Sequence, residues 1–239
     1  MWALVLIGCG ETPGAQPHDM SRAEHESAAT QQEQIAAEHS AQYDPSATEL
    51  VERCTGTRGH SGPPGNDFRT PACWTSVRNP TQEHRRAAEE HQSQAADHRA
   101  ASDALRDAET AACAGIAPED RDMSPFDHPE DIADVTPLLD DGDTVGAQVT
   151  LRPVPGLSAE WLQAIVDCHA ARNASLGHDV PEMPNCPLVP LGAQAVVRSA
   201  EDGGLVVDIR SDEPDAARDI LGRAQRLVPA GAPAPAPSL

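Results

Sequence analysis

The chain reads as an α+β protein: an N-terminal antiparallel helical hairpin with an alanine/histidine seam, then a small β-α-β-β-α sandwich. Three observations predict this. Residues 21–115 are rich in Ala, Glu, Gln and Arg, carry two helix-start signals, and after the second space histidine once per heptad at 84, 91 and 98. From Val145 onward the period of the apolar residues falls from the helical value to two. Hydrophobic residues make up 39% of the 239 positions and aromatics only 3%, which argues for small separate cores instead of one large one.

The chain opens with an apolar run, Trp2-Ala3-Leu4-Val5-Leu6-Ile7-Gly8, followed by Cys9. The run is too short to span a bilayer, which needs about 20 apolar residues, and it has the character of the end of a secretory h-region. The tetrad Leu6-Ile7-Gly8-Cys9 resembles the lipobox of bacterial lipoproteins. That resemblance implies acylation at Cys9 and retention in the cell envelope, and Gly10 after the cysteine points to the outer membrane, facing the periplasm. No Arg or Lys precedes the apolar run, a departure from the usual pattern. Residues 1–9 are then a signal-peptide remnant and residues 10–20, rich in Gly and Pro, a tether.

The hairpin is expected over residues 21–115. Ser21-Arg22-Ala23-Glu24 is a capping-box pattern, and Asp44-Pro45 stops the helix it opens. Asn79-Pro80 opens the second helix, and Gly115 suits its C′ position. One stripe of the first helix reads His25, Ala28, Gln32, Ile35, His39; on the second it reads His84, Ala87, His91, Gln94, His98, Ala101, Leu105. Histidine thus stands where a coiled coil would carry large apolar residues. Aligning the stripes puts His39 opposite His84, Gln32 opposite His91 and His25 opposite His98. A single helix cannot chelate through these residues, because seven positions separate them by about 10.5 Å along the axis. Two facing helices could supply a histidine pair per layer, so His25, His39, His84, His91 and His98 are candidate ligands for Zn, Cu or Ni. The plainer expectation is a structural seam with no cofactor.

Residues 116–142 are acidic and broken by prolines, and read as a linker. Val145, Ala147, Val149 and Leu151 alternate as in a half-buried strand; Ser158 caps a helix carrying Trp161, Leu162, Ile165 and Val166. Ala193–Ser199, a turn at Asp202-Gly203-Gly204, Leu205–Ile209 and a helix from Pro214 complete a domain over 143–228. Its order is similar to part of a ferredoxin-like arrangement. Residues 229–239 form a Pro/Ala tail. The segments DCHAARNASLGHDVPEMPNCPLVP and RDMSPFDH resemble uncharacterised exported proteins of delta-proteobacterial or myxobacterial type over about residues 105–228, a resemblance that implies no particular activity.

Six cysteines in an exported chain predict disulfides. With Cys9 acylated, the local pairs are Cys54–Cys73 and Cys168–Cys186, which leaves Cys113 as a free thiol. The formal net charge is −21, with no lysine among the basic residues, which disfavours nucleic acid and suits cations. HExxH, GxSxG, GxxxxGK[ST] and GxGxxG are absent from the sequence. The expected function is therefore a non-catalytic, lipid-anchored envelope protein with a structural or partner-binding role. Its partners would be the membrane, reached through the lipid, and another envelope protein. The alternative is periplasmic binding or buffering of divalent cations by the paired histidines.

Overall fold

The computed structural model describes residues 20–54 and 73–228. The lipobox with Cys9, the tether up to residue 19 and the tail 229–239 lie outside the described residues. The chain divides into two compact units: Ala29–Ala96, and the residues up to Ala28 together with Asp97 onward. Two helices, α1 (Arg22–Gln42) and α2 (Gln82–Ala112), contribute to both. No helix of the described residues is long and apolar enough to cross a membrane.

In the Ala29–Ala96 unit the register of the helix pair is set at its turn. The Asn79 side-chain amide donates to the Asp44 carbonyl at 2.7 Å, and the Asp44 N–H donates to Thr81 Oγ1 at 3.0 Å. Asn79 Oδ1 also accepts from the Thr81 N–H at 2.7 Å, so one residue caps α2 and clasps the end of α1. Ala29 and Ala36 of α1 and Ala88 and Ala95 of α2 are buried. This shifts the expected stripe by one residue: Ala36 and Ala88 face inward, while Ile35 and Ala87 sit at its margins.

The connection is more than a loop. It contains an antiparallel ribbon, β1 (Glu49–Cys54) paired with β2 (Cys73–Arg78), and Cys54 lies directly opposite Cys73 in a disulfide. Its strands escape sequence reading because Leu50, Trp74 and Val77 face solvent, so no alternation of buried and exposed residues marks them.

The other unit carries a four-stranded antiparallel sheet of order β3-β4-β6-β5. The strands are β3 (Ile132–Asp140), β4 (Asp143–Leu151), β5 (Gln194–Ser199) and β6 (Leu205–Arg210). Helices α3 (Ala159–Ser175) and α4 (Pro214–Gln225) join them. β4 and β5 are both antiparallel to β6 and hence parallel to each other, a split β-α-β unit through α3. Ala147, Val149, Leu151, Leu205, Val207 and Ile209 form the inner face, covered by Leu162 and Val166 of α3 and Ile220 and Ala224 of α4. Only glycine fits at position 146, because a Cβ there would lie 1.9 Å from the Ile209 carbonyl oxygen.

Two expectations need correction here. Residues 116–142 are not simply a linker: short 3₁₀ turns at Pro118–Asp120 and Pro129–Asp131 lead into β3. A register shift between Ile132 and Asp134 breaks the period of two, and Pro137 disguises the strand. Proline is tolerated there because β3 is an edge strand. The domain expected from residue 143 therefore begins one strand earlier.

The second correction concerns the cysteines. Cys113 bonds Cys168, and the free cysteine among the described residues is Cys186, so the expected Cys168–Cys186 pair and free Cys113 are both wrong. Cys113 follows the last turn of α2 and packs with Ile116, Ile165 and Cys168 in a small core of its own. Cys186 belongs to the main core. Successive helix residues point about 100° apart, so α3 turns Cys168 toward Cys113 and His169 toward Cys186.

Candidate functional site

Within the Ala29–Ala96 unit, three histidines meet on facing helices. His39 Nδ1 lies 3.2 Å from His84 Nδ1. His91 stacks on the His39 ring at a centroid distance of 5.7 Å with planes 5° apart, and its Nδ1 is 2.6 Å from Gln32 Oε1. A side-chain amide oxygen only accepts, so His91 carries its proton on Nδ1. His39, His84 and His91 are all half-buried: helices present their rings to one another while an edge of each stays wet.

The second unit holds the remaining pair. His25 Nδ1 lies 3.2 Å from His98 Nδ1, the separation found at His39 and His84. The surroundings differ: His25 is 0% exposed and His98 5%. His25 Nε2 is buried without a hydrogen-bond partner. That orphan atom selects the tautomer. A buried N–H without an acceptor is rarer and more costly than an unpaired lone pair. His25 therefore donates Nδ1–H to His98 Nδ1 and leaves only a lone pair at Nε2. Burial holds His98 below the usual imidazole range; the neighbouring His25 adds to this and Asp97 offsets part of it. Around this pair, Ser102 Oγ donates to Glu26 Oε1 at 3.3 Å, and Ser21 and Glu24 complete the capping box at 2.8 Å and 3.2 Å.

A third histidine sits in the main core of the same unit. His169 Nε2 is 3.2 Å from Cys186 Sγ. Burial pushes the imidazole down to about 4 and the thiol up to about 11. A nucleophilic cysteine needs the opposite shifts, toward thiolate and imidazolium. The pair is a contact between a neutral imidazole and a neutral thiol, and these shifts oppose a thiolate there near neutral pH. Near it in sequence, His178 Nδ1 is 2.9 Å from the Val189 carbonyl, a fixed structural contact.

Sequence reasoning missed two features. An apolar cavity of about 150 Å³ lies among Met123, Leu151, Val154, Leu157, Trp161 and Ile165. It is smaller than the roughly 300–1,000 Å³ typical of small-molecule sites. Glu52 lies beside Cys54 and Cys73, but both sulfurs are committed to the disulfide and offer no thiolate to a metal.

Comparison of the chain with protein families, with curated proteins and with solved structures finds no match.

Proposed function

We propose that this chain is a lipid-anchored protein of the bacterial outer membrane, facing the periplasm, that acts by binding a protein partner and not by catalysis. The observation that carries the reading is the β1–β2 ribbon. Leu50 is 73% exposed, Val77 66% and Trp74 51%, on a two-stranded sheet whose outer edges have no strand beside them among the described residues. Exposed apolar side chains and free strand edges are liabilities unless something docks on them. An isolated two-stranded ribbon is marginal in water. Closing it with Cys54–Cys73 contributes about 3 kcal/mol by loop entropy, enough to keep it presented.

The Cys113–Cys168 bond supports the oxidising address. It joins the residue after α2 to α3 in a buried core where a thiol pair would otherwise sit reduced. The neutral Cys186–His169 contact supports a non-catalytic role.

Photo-crosslinking from position 74 in intact envelopes tests the binding role, with mass spectrometry of the mature N-terminus testing the anchor. A single crosslinked envelope protein is expected, lost with Leu50→Ser/Val77→Ser. An unacylated Cys9 in a cytosolic chain, or crosslinks that ignore the double substitution, would contradict the reading.

A further inference from the structure

We infer that His39 and His84 form a two-imidazole site for a late first-row divalent cation, with Zn²⁺ and Cu²⁺ as its probes. The inference rests on the helix pair of the Ala29–Ala96 unit and is independent of the lipid anchor and of the ribbon.

The first support is distance. Metal–nitrogen bonds of about 2.0–2.1 Å at a tetrahedral centre put two ligand nitrogens roughly 3.3 Å apart. His39 Nδ1 and His84 Nδ1 are 3.2 Å apart. An ion seated off the line between them would replace the proton the two atoms now share, at nearly the same nitrogen separation. The clasp at Asp44, Asn79 and Thr81 holds the helix ends in this register whether or not an ion is present.

The second support is the proton inventory. In the neutral pair one Nδ1 carries hydrogen and the other a lone pair. Coordination takes both Nδ1 lone pairs. The shared proton must therefore move to Nε2 of its own ring, so each imidazole stays neutral and no net proton is lost. Each Nε2–H then needs an acceptor. His39 and His84 are half-buried, and neither has a buried ring nitrogen without a partner. Water can serve them.

The same step is obstructed at the other pair despite its equal spacing. A metal on His25 Nδ1 would force the hydrogen onto His25 Nε2, which is buried and has nothing to donate to. That pair is also too enclosed to admit the waters that complete a coordination shell.

The remaining positions at His39 and His84 fall to water, because among the described residues the only close three-ligand group is the disulfide-bound one at Glu52. Two imidazole nitrogens suit Zn²⁺ and Cu²⁺ above the alkaline earths, which prefer oxygen. A chain carrying −21 adds a general attraction for cations, and Glu38 and Glu83 stand immediately before the two ligands. His91, stacked on His39 with its Nδ1 tied to Gln32, is a positioning residue that fixes the plane of the His39 ring.

Calorimetric titration of the full, disulfide-intact chain with ZnCl₂ tests the site. Expected is about one saturable equivalent, weakened roughly tenfold or more in His39→Gln and in His84→Gln and unchanged in His25→Gln. The unsubstituted chain answers the same question without any variant: its Cu²⁺ electron paramagnetic resonance spectrum should show coupling to two nitrogens. The inference is overturned by an absence of saturable binding, by binding that persists undiminished in His39→Gln/His84→Gln, by equal loss in His25→Gln, or by fewer than two coupled nitrogens.

Discussion

The two Nδ1–Nδ1 pairs share one separation, 3.2 Å, and one origin, histidines spaced by multiples of seven on each of two antiparallel helices. They differ in access to water. At His39 and His84, both half-buried, neither ring has a buried nitrogen without a partner, so either ring can exchange tautomers. At His25 and His98 the far nitrogen of His25 is sealed, so one tautomer is locked, and burial holds His98 below the usual imidazole range. Spacing alone therefore does not make a metal site. The proton that coordination displaces must have somewhere to go, and burial decides whether it does.

Acid should act most strongly through the buried His169 and His98. His169 in the folded chain is held down to about 4, against about 6.5 when unfolded. Its folded-state value is depressed, so its stabilisation is complete above about pH 6.5 and is lost as pH falls toward 4. By linkage this amounts to about 3 kcal/mol. His98 shifts in the same direction and adds to it. Urea unfolding between pH 7.5 and 4 should show a falling midpoint, and His25→Leu/His98→Leu should flatten its upper part. A profile that is level across this window, or unaltered in the double variant, would break the contrast.

Truncation comes next in size. His25→Ala empties a fully buried position and strands His98 Nδ1, at a loss of about 2 kcal/mol or more. His39→Ala, at a wet position, should lose less than about 1 kcal/mol. Equal losses in denaturant titration would mean that the two pairs are equally buried in solution.

Smaller again is Gln32→Ala, which removes the acceptor for His91 Nδ1 and should reduce stability by about 0.5–1 kcal/mol. It should also loosen Zn²⁺ binding, because the His39 ring loses its stacked support. A variant with unchanged Zn²⁺ affinity would show that His91 does not position the site.

Thiol chemistry sharpens the account at the core. Cys186 is buried with its thiol pushed up to about 11, so the folded Cys9→Ala chain should ignore thiol reagents, and the denatured chain should release a single equivalent. A second equivalent would mean that one of the two disulfides does not form.

The helical elements were legible because their signals are local. Ser21 with Glu24, Asn79 before Pro80, and Ser158 each satisfy backbone donors within three residues. The pairing of His39 with His84, Gln32 with His91 and His25 with His98 could be read because heptad spacing leaves few registers for two helices. What stayed hidden depends on partners distant in sequence. Whether a histidine is sealed cannot be read from its neighbours in the chain: His25 and His39 sit in similar Ala/Glu contexts. Cys168 and Cys186 are close in sequence, yet Cys168 bonds Cys113 from 55 residues away, because the α3 face that carries it turns from Cys186. β3 carries its inward residues through a bulge and a proline, and the β1–β2 ribbon shows its apolar residues to solvent.

The central claim is that access to water, at equal spacing, assigns the two histidine pairs different chemistry. Long-range ¹H–¹⁵N correlation of the imidazole nitrogens in the unsubstituted chain, with and without Zn²⁺, measures this most directly. His25 is expected to carry hydrogen on Nδ1 and to be unmoved by Zn²⁺, while His39 and His84 both pass to Nε2–H with metal-shifted Nδ1. Hydrogen on His25 Nε2, or Zn²⁺ shifts shared equally by both pairs, would contradict it.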